Sequence, residues 1–365
     1  MDYLRTTYAG KTVVVTGHTG FKGSWLSVWL HMLGAKVIGI ALDPPSTPSH
    51  FEAAKLAEGM VDQRLDVRDA NRVAKAIVAA QPDFLFHLAA QGLVRRSYED
   101  PLETWQTNVM GTLHVLEGLR RLDKPCAAVI ITSDKCYDNV EWVWGYRETD
   151  ALGGPDPYSA SKGAAELVIR SHIKSYFPKD SQVRIASARA GNVIGGGDWA
   201  ADRIVPDCVR AWAGGKTVEL RNPGATRPWQ HVLEPLSGYL VLGAALSANP
   251  DLHGEPFNFG PPAQQNQSVL ELVEEMSAHW DMVRWLDVSE AANGPYESRL
   301  LKLNCDKALH FLRWQAVMGF QDTVRMTSEW YRSYYAAPDQ IAAVTTSQIT
   351  AYVAMAAQRG LAWAV

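Results

Sequence analysis

Two patterns predict an α/β protein built on a doubly wound parallel sheet. Short β-branched runs alternate with longer helical patterns through the first half of the chain, and the first run ends in a turn with regularly spaced glycines. The 365 residues, 47% hydrophobic and 20% charged, carry ample apolar surface for a large core, and the length favours two lobes. The expected strands are Thr12 to Thr16, Lys36 to Leu42, Phe84 to Leu88, Ala127 to Thr132 and Val183 to Ala190, all mostly buried runs. Helical spacing at Trp25, Leu26, Val28, Trp29, Leu30 and Leu33, and again at Val73, Ala76, Ile77 and Ala80, marks crossover helices.

After Ala190 the winding gives way to glycine-rich and Trp/Pro-punctuated loops around a helix-like Arg203 to Trp212. A short apolar run, Phe257 to Gly260, and helical patterns at Ser268 to Trp280 and Thr323 to Tyr335 predict a smaller, interleaved C-terminal domain. The expected division is 1–190, with 233–260 returning to it, against 191–232 plus 261–365.

Composition excludes several classes. Lys plus Arg number 35 against 39 Asp plus Glu, so no positive field awaits a nucleic acid. Cys126, Cys136, Cys208 and Cys305 form no C-x-x-C pair and read as reduced thiols of a cytoplasmic protein. Residues 1–10 are polar and lead straight into the first strand, so no secretion signal is expected, and no uncharged stretch reaches the ~20 apolar residues of a membrane span. His87 and His231 have no second ligand at metal spacing, so no metal is expected. Trp142 and Trp144 alternate like a strand or hairpin and read as packing.

Gly17, Gly20 and Gly23 stand three apart where the first strand must turn into a helix, and Asp43 lies twenty residues beyond Gly23. Missing Cβ atoms let backbone approach a pyrophosphate, the N–H groups of the helix start bind its charge, and a carboxylate at the end of the second strand holds a ribose diol. This Rossmann-type arrangement points to a dinucleotide. Asp43 repels a 2′-phosphate, which favours NAD over NADP unless Lys22 or Arg68 counters it. Asp66 is a candidate acceptor for the adenine amino group or a cap for the following helix, and His18, inside the loop, is a candidate for close approach to cofactor or sugar.

Tyr158 and Lys162 are spaced i, i+4, which places phenol and ammonium on one helix face. A cation near the phenol lowers its pKa from ~10 and makes it a base for an alcohol losing hydride. Together with Thr132 and Ser133 at the end of a strand, the pair reads as a Ser/Tyr/Lys oxidoreductase site.

The segments TGHTGFKG (16–23), HLAAQ (87–91), TSDKCY (132–137), YSASK (158–162), RAGNVIGGGDWA (189–200) and RPWQHV (227–232) resemble the extended short-chain dehydrogenase/reductases that modify nucleotide sugars. The resemblance runs nearly end to end, and TSDKCY with GNVIGGGDW and RPWQHVLEPLSGYL is similar to the 4,6-dehydratases that act on CDP-glucose. It implies cofactor contacts from Phe21, Lys22, Val67, Leu88, Ala89 and Ala90 as well as the glycines, Asp43 and Asp66. Asp134 is implied as the acid at the C6 oxygen, Lys135 as the C5 base where dTDP-type enzymes carry a carboxylate, and Ser133 as a hydrogen-bond partner of the sugar O4. Lys135 must then be partly neutral. Tyr158 takes the O4 proton, NAD the C4 hydride, and NADH returns that hydride to C6. Asn192, Arg203, Arg227 and Arg299 are implied on the nucleotide diphosphate, and helices over Leu102 to Leu119 and Ser159 to Ser171 in a four-helix homodimer interface. A nucleotide-sugar 4-epimerase would share the loop, Tyr158 and Lys162 but needs no acid and base at 134 and 135; an NAD-sensing protein on this fold would not need Tyr158 and Lys162.

Overall fold

The computed structural model describes residues 2–281, 283–289 and 300–365. Seven strands, β1 (Thr12–Thr16), β2 (Lys36–Ala41), β3 (Val61–Arg64), β4 (Phe84–His87), β5 (Cys126–Ile131), β6 (Val183–Arg189) and β7 (Pro256–Asn258), form one sheet in the order 7-6-5-4-1-2-3. All its pairings are parallel. The five strands expected from the sequence appear with ends shifted by a single residue at most. β3 was not expected: its sequence VDQR has no apolar run, because it is an edge strand with no fully buried residue.

Crossover helices α1 (Phe21–Met32), α2 (Ala70–Ala80), α3 (Gly111–Leu119) and α4 (Pro157–Tyr176) cover the two faces, and α5 (Leu233–Ala248) packs on β5 and β6. Period-two alternation feeds both cores. Val13 and Val15 pack with Trp25, Trp29 and Leu240 on one face, whereas Val14 packs with Val73, Ile77 and Leu116 on the other. β7 pairs with β6, so the chain returns to the sheet after residues 190–255. Outside the sheet lie the helix Ile204–Ala213 and α6 (Phe320–Ala336), while α7 (Ile341–Gln358) packs against α1. There Trp29 meets Tyr352 at 5.8 Å and Trp363 at 6.4 Å between ring centroids.

Segment 139–146 is a loop, not a strand or hairpin: Gly145 abuts the backbone of Asn304 and Tyr146 bridges to Leu303, which pulls the segment away from any ladder. Trp142 stacks on Tyr146, but Trp144 is 68% exposed and meets Trp142 edge to face. All four cysteines are free thiols. Among the described residues no helix is long and apolar enough to cross a membrane, and no group of three or more His, Cys, Asp or Glu side chains could hold a metal.

A buried acid at the start of α5 ties that helix to the C-terminal part of the chain. Glu234 accepts hydrogen bonds from the backbone N–H of Val317 and Met318 and from the Tyr352 hydroxyl. Burial nevertheless pushes its pKa up to about 7. A carboxyl raised on folding contributes stability that is complete below its unfolded value, ~4.3, and is lost as pH rises through the folded one. We therefore expect Glu234→Gln, which cannot ionise, to gain on the parent as pH goes from 5 to 8. Urea midpoints of both at the two pH values check this, and a pH-independent difference would contradict it.

Candidate active site

The glycine turn is built as its spacing requires. Gly17 has φ +76°, and a Cβ there would lie 2.7 Å from the Ala89 nitrogen; a Cβ on Gly23 would lie 2.1 Å from the Gly17 carbonyl oxygen. The turn is pinned by the Gly17 N–H to the Ile40 carbonyl (2.8 Å), and α1 starts immediately behind it. Leu88, Ala89 and Ala90 follow β4 alongside, with the Ala89 N–H donating to the Thr16 hydroxyl. Asp43 extends from the end of β2 with its side chain 92% exposed, 3.5 Å from Arg64. Asp66 receives the Arg68 backbone N–H and guanidinium, both at 2.8 Å, and the α2 cap is Asp69 instead. Val67 is buried beside it and bonds His114 through its carbonyl.

His18 does not face the cofactor turn. Its ring lies over Gly39 and bonds Asp62 of β3 at 2.9 Å, because Gly39 leaves room for the imidazole beneath the loop. Nor does Lys22 offset Asp43: half-buried, it faces Asp134, Asp198 and Arg203, and burial followed by the Arg203 charge lowers it to about 8. His87 and His231 are neutral core histidines, each lowered to about 3 by burial.

Ser133 ends the extended run of β5, and Asp134 opens a single 3-10 turn over Asp134–Cys136. The Ser133 hydroxyl donates to Asp134 Oδ1 at 3.0 Å. The Asn192 amide, held at φ +48°, donates to Asp134 Oδ2 at 3.5 Å. Gly191 forms the notch for this carboxylate, since a Cβ there would sit 1.8 Å from Oδ2. The half-buried Lys135 is next in the same turn. Tyr158 and Lys162 lie on the first turns of α4, which starts at Pro157 and is capped by Asp156.

Burial holds the Tyr158 phenol up at about 12, against a hydrogen bond with Ser133 that lowers it, while the Asp134 charge raises it. Burial, then the charge of Lys22, brings Lys162 down to about 8. The sequence pattern predicted a phenol activated by Lys162. In the folded chain burial is the largest influence on the phenol and raises it, and the positive charge among the influences that lower it is Arg203.

The cleft above Asp134 is lined by Gly191, Pro228 and Gln230 on one side and by residues 260–263 and 301–303 on the other. Arg203 both starts the helix Ile204–Ala213 and turns its guanidinium toward Tyr158 and Lys22, braced by Asp198 at 2.6 Å. Arg227 precedes Pro228 on a two-residue strand paired with Gln267–Ser268. Arg299 lies outside the described residues.

Several residues of the site escaped the sequence reading. Glu166, one turn beyond Lys162, accepts from Thr132, Ser187 and Arg189, all within 3.0 Å; an acid at i+4 from Lys162, on the helix face that Ile169 and Ile173 continue, was the available signal. Asn108 sits in a wide π turn, Gln106–Met110, that interrupts the expected helix, and bonds both Gln91 backbone groups and the Ser161 hydroxyl. Each glycine of the IGGGDW run seats a different neighbour: Gly195 against Val232 and Phe21, Gly196 against Trp330, Gly197 against His50.

A dinucleotide turn at the C-terminal edge of a parallel sheet, facing a Ser/Tyr/Lys set across the crevice, places the molecule among the extended short-chain dehydrogenase/reductases. The chain belongs to the GDP-mannose 4,6 dehydratase family, whose profile matches residues 14–327. It is 48% identical to the CDP-glucose 4,6-dehydratase of Salmonella typhimurium over 92% of this chain and 94% of that one. It is 24% identical to a UDP-glucose 4-epimerase of Mycoplasma genitalium over 88% and 97% of the two chains. Among solved structures, the dTDP-glucose 4,6-dehydratase of Streptomyces venezuelae with NAD and TYD bound superposes with a TM-score of 0.72 at 23% identity, covering 89% of this chain and 98% of that one.

Gly191→Ala tests the notch. The added methyl must displace the Asp134 carboxylate by more than 1 Å, a misplacement worth about 100-fold in rate. We expect turnover to fall by about that factor with the melting temperature nearly kept; full activity would show that Asp134 need not occupy this position.

Proposed function

We infer that the chain is an NAD-dependent 4,6-dehydratase of nucleotide sugars, a hydro-lyase, and that its substrate is CDP-glucose, converted to CDP-4-keto-6-deoxy-glucose and water. The observation that carries this is the Asp134 carboxyl, set in the Gly191 notch beside Ser133 with Lys135 in the same turn, an acid and a base that oxidation at C4 alone does not require. The 48% identity to a CDP-glucose 4,6-dehydratase supports the same reading and the choice of CDP.

The cradle left by Gly17 and Gly23, with Phe21, Lys22, Val67, Leu88, Ala89 and Ala90 around it and Asp43 and Asp66 at its far end, fits NAD. Bound there, NAD supplies an acceptor for the C4 hydride, a donor for its return to C6, and further positive charge beside the phenol. Tyr158 takes the O4 proton, with Lys162 beneath it. Once C4 is a ketone the C5 hydrogen is acidic. Lys135 removes it while Asp134 protonates the departing C6 oxygen. Asn192, Arg203, Arg227 and Arg299 are assigned to the diphosphate, where guanidinium pairs well with phosphate.

Residues 1–190 with 233–260 are assigned to NAD, and 191–232 with 261–365 to the nucleotide sugar, α7 of the latter reaching back to α1. A homodimer is proposed through α3, α4 and the segment before α3, whose Leu102, Met110 and Leu167 are exposed apolar side chains. Free thiols at all four cysteines fit a cytoplasmic location.

Mass spectrometry of CDP-, UDP-, dTDP- and GDP-glucose after incubation in deuterated water tests the reading. Loss of one water with a single deuterium at C5 from CDP-glucose alone is expected; unchanged mass with inversion at C4 would make the protein an epimerase. Asp134→Asn should still form NADH from bound substrate while dehydration drops by at least about 100-fold. Undiminished turnover in that variant would remove Asp134 from its role.

A further inference from the structure

One acceptor in the cleft above Asp134 takes no part in the hydride and proton transfers. Gln230 belongs to the two-residue strand Gln230–His231, which pairs with Val193–Ile194, and its backbone N–H donates to the Asn192 carbonyl at 3.1 Å. The residue is 1% exposed. Its Nε2 donates to the Gly191 carbonyl at 2.8 Å and to the Phe259 carbonyl at 3.2 Å. Both partners are carbonyls and only accept, so chemistry fixes which way the amide stands: NH2 toward them, Oε1 away. Among the described residues nothing donates to Oε1. A buried acceptor without a donor is costly, so a ligand group that donates to it gains what the folded chain forgoes.

Gln230 and Asp134 line the same cleft, and Gly191 touches both. Its missing Cβ seats the carboxylate, and its carbonyl holds the amide. Among the described residues lining the cleft, the side chains with polar groups are Asp134, Gln230 and Lys302; the rest are Gly, Pro, Ala and Leu. Lys302 donates and cannot accept. Asp134, as the acid of the dehydratase reading, also donates, which leaves Oε1 as the neutral side-chain acceptor. A hydroxyl between Asp134 and Gln230 is then satisfied on both sides, its oxygen by the acid and its hydrogen by the amide.

We propose, on the basis of the dehydratase reading, that Gln230 Oε1 accepts the hydrogen of the hexose C6 hydroxyl, making Gln230 a specificity-determining residue for the elimination. The C6–O bond breaks with its electron pair going to oxygen. That oxygen keeps its own hydrogen on Gln230, takes the Asp134 proton and leaves as water, while Lys135 holds the C5 proton. The returning hydride turns C6 into a methyl group, which has no hydrogen to donate. Oε1 then loses its partner, so the 6-deoxy product is held less tightly than the substrate. One amide thus aims the C6 oxygen at its acid and favours release of what the reaction makes.

Wild-type conversion of CDP-glucose comes first, and its absence would fail the dehydratase reading rather than the role of Gln230. Affinities for CDP-glucose and CDP-6-deoxyglucose are then measured by calorimetric titration of the NAD-loaded protein carrying Tyr158→Phe to block turnover. With Gln230 in place CDP-glucose should bind at least about 5-fold tighter, and adding Gln230→Leu or Gln230→Met should bring the two within about 2-fold of each other. A general disturbance of the Gly191 notch weakens both ligands together. An unchanged ratio in the folded variants would therefore overturn the proposal, and so would equal affinities with Gln230 intact. A second readout uses Gln230→Met with Tyr158 restored. NADH should accumulate on mixing with CDP-glucose, because C4 oxidation proceeds while elimination slows by at least about 5-fold. Elimination at the parental rate would overturn the assignment of the C6 hydroxyl to Gln230.

Discussion

The Glu166 carboxylate is the clamp on which the site's geometry rests. It leaves α4 one turn beyond Lys162 and gathers the hydroxyls of Thr132 and Ser187 and the guanidinium of Arg189, so a helix is fixed to the ends of β5 and β6 through one acid. Arg189 continues outward to the Tyr137 hydroxyl, which donates to Asn258 of β7. Tyr158 and Lys162 come from the helix, Ser133 and Asp134 from the end of β5, Gly191 and Asn192 from the end of β6. Their separations are therefore set where these elements are pinned. Burial alone would raise the Glu166 carboxyl, but Arg189 and the hydroxyls win and hold it low. Its contribution is present above the unfolded carboxyl value and is lost in acid. Removing one partner of such a buried pair typically costs about 3–5 kcal/mol, a large share of the roughly 5–15 that a whole domain has.

Positive charge is concentrated in the crevice. Lys22, Lys162 and Arg203 crowd together: Arg203 lowers Lys22, and Lys22 in turn lowers Lys162. Asp198 neutralises Arg203 directly at 2.6 Å, leaving the lysines to Asp134 and to whatever enters. Beside this cluster the Tyr158 phenol is still held up by burial, with Arg203 among the influences that lower it.

The sheet was legible because its interior strands are apolar and its glycines obey a steric rule that spacing reveals. β3 was not, since an edge strand reads as VDQR and owes its place to pairing with β2. Tyr158, Lys162, Ser133 and Asp134 stood out through motif and spacing. Gly191 and Glu166 did not, because a notch and a clamp are defined by what lies opposite, and that partner comes from another segment of chain. His18 shows the converse. Its place in the cofactor loop suggested ligand contact, whereas Gly39, on the neighbouring strand, offers the space that turns the ring inward.

The contact between α7 and α1 sets an order of events during synthesis. Trp29, on the first crossover helix, has no exposed surface in the folded protein, and part of its cover is Tyr352 and Trp363. At ribosomal rates of about 5–20 residues per second, the N-terminal half waits tens of seconds for those residues to be made. Through that interval the first helix keeps part of its indole uncovered, and Trp29 reaches its full burial only when α7 has formed over it.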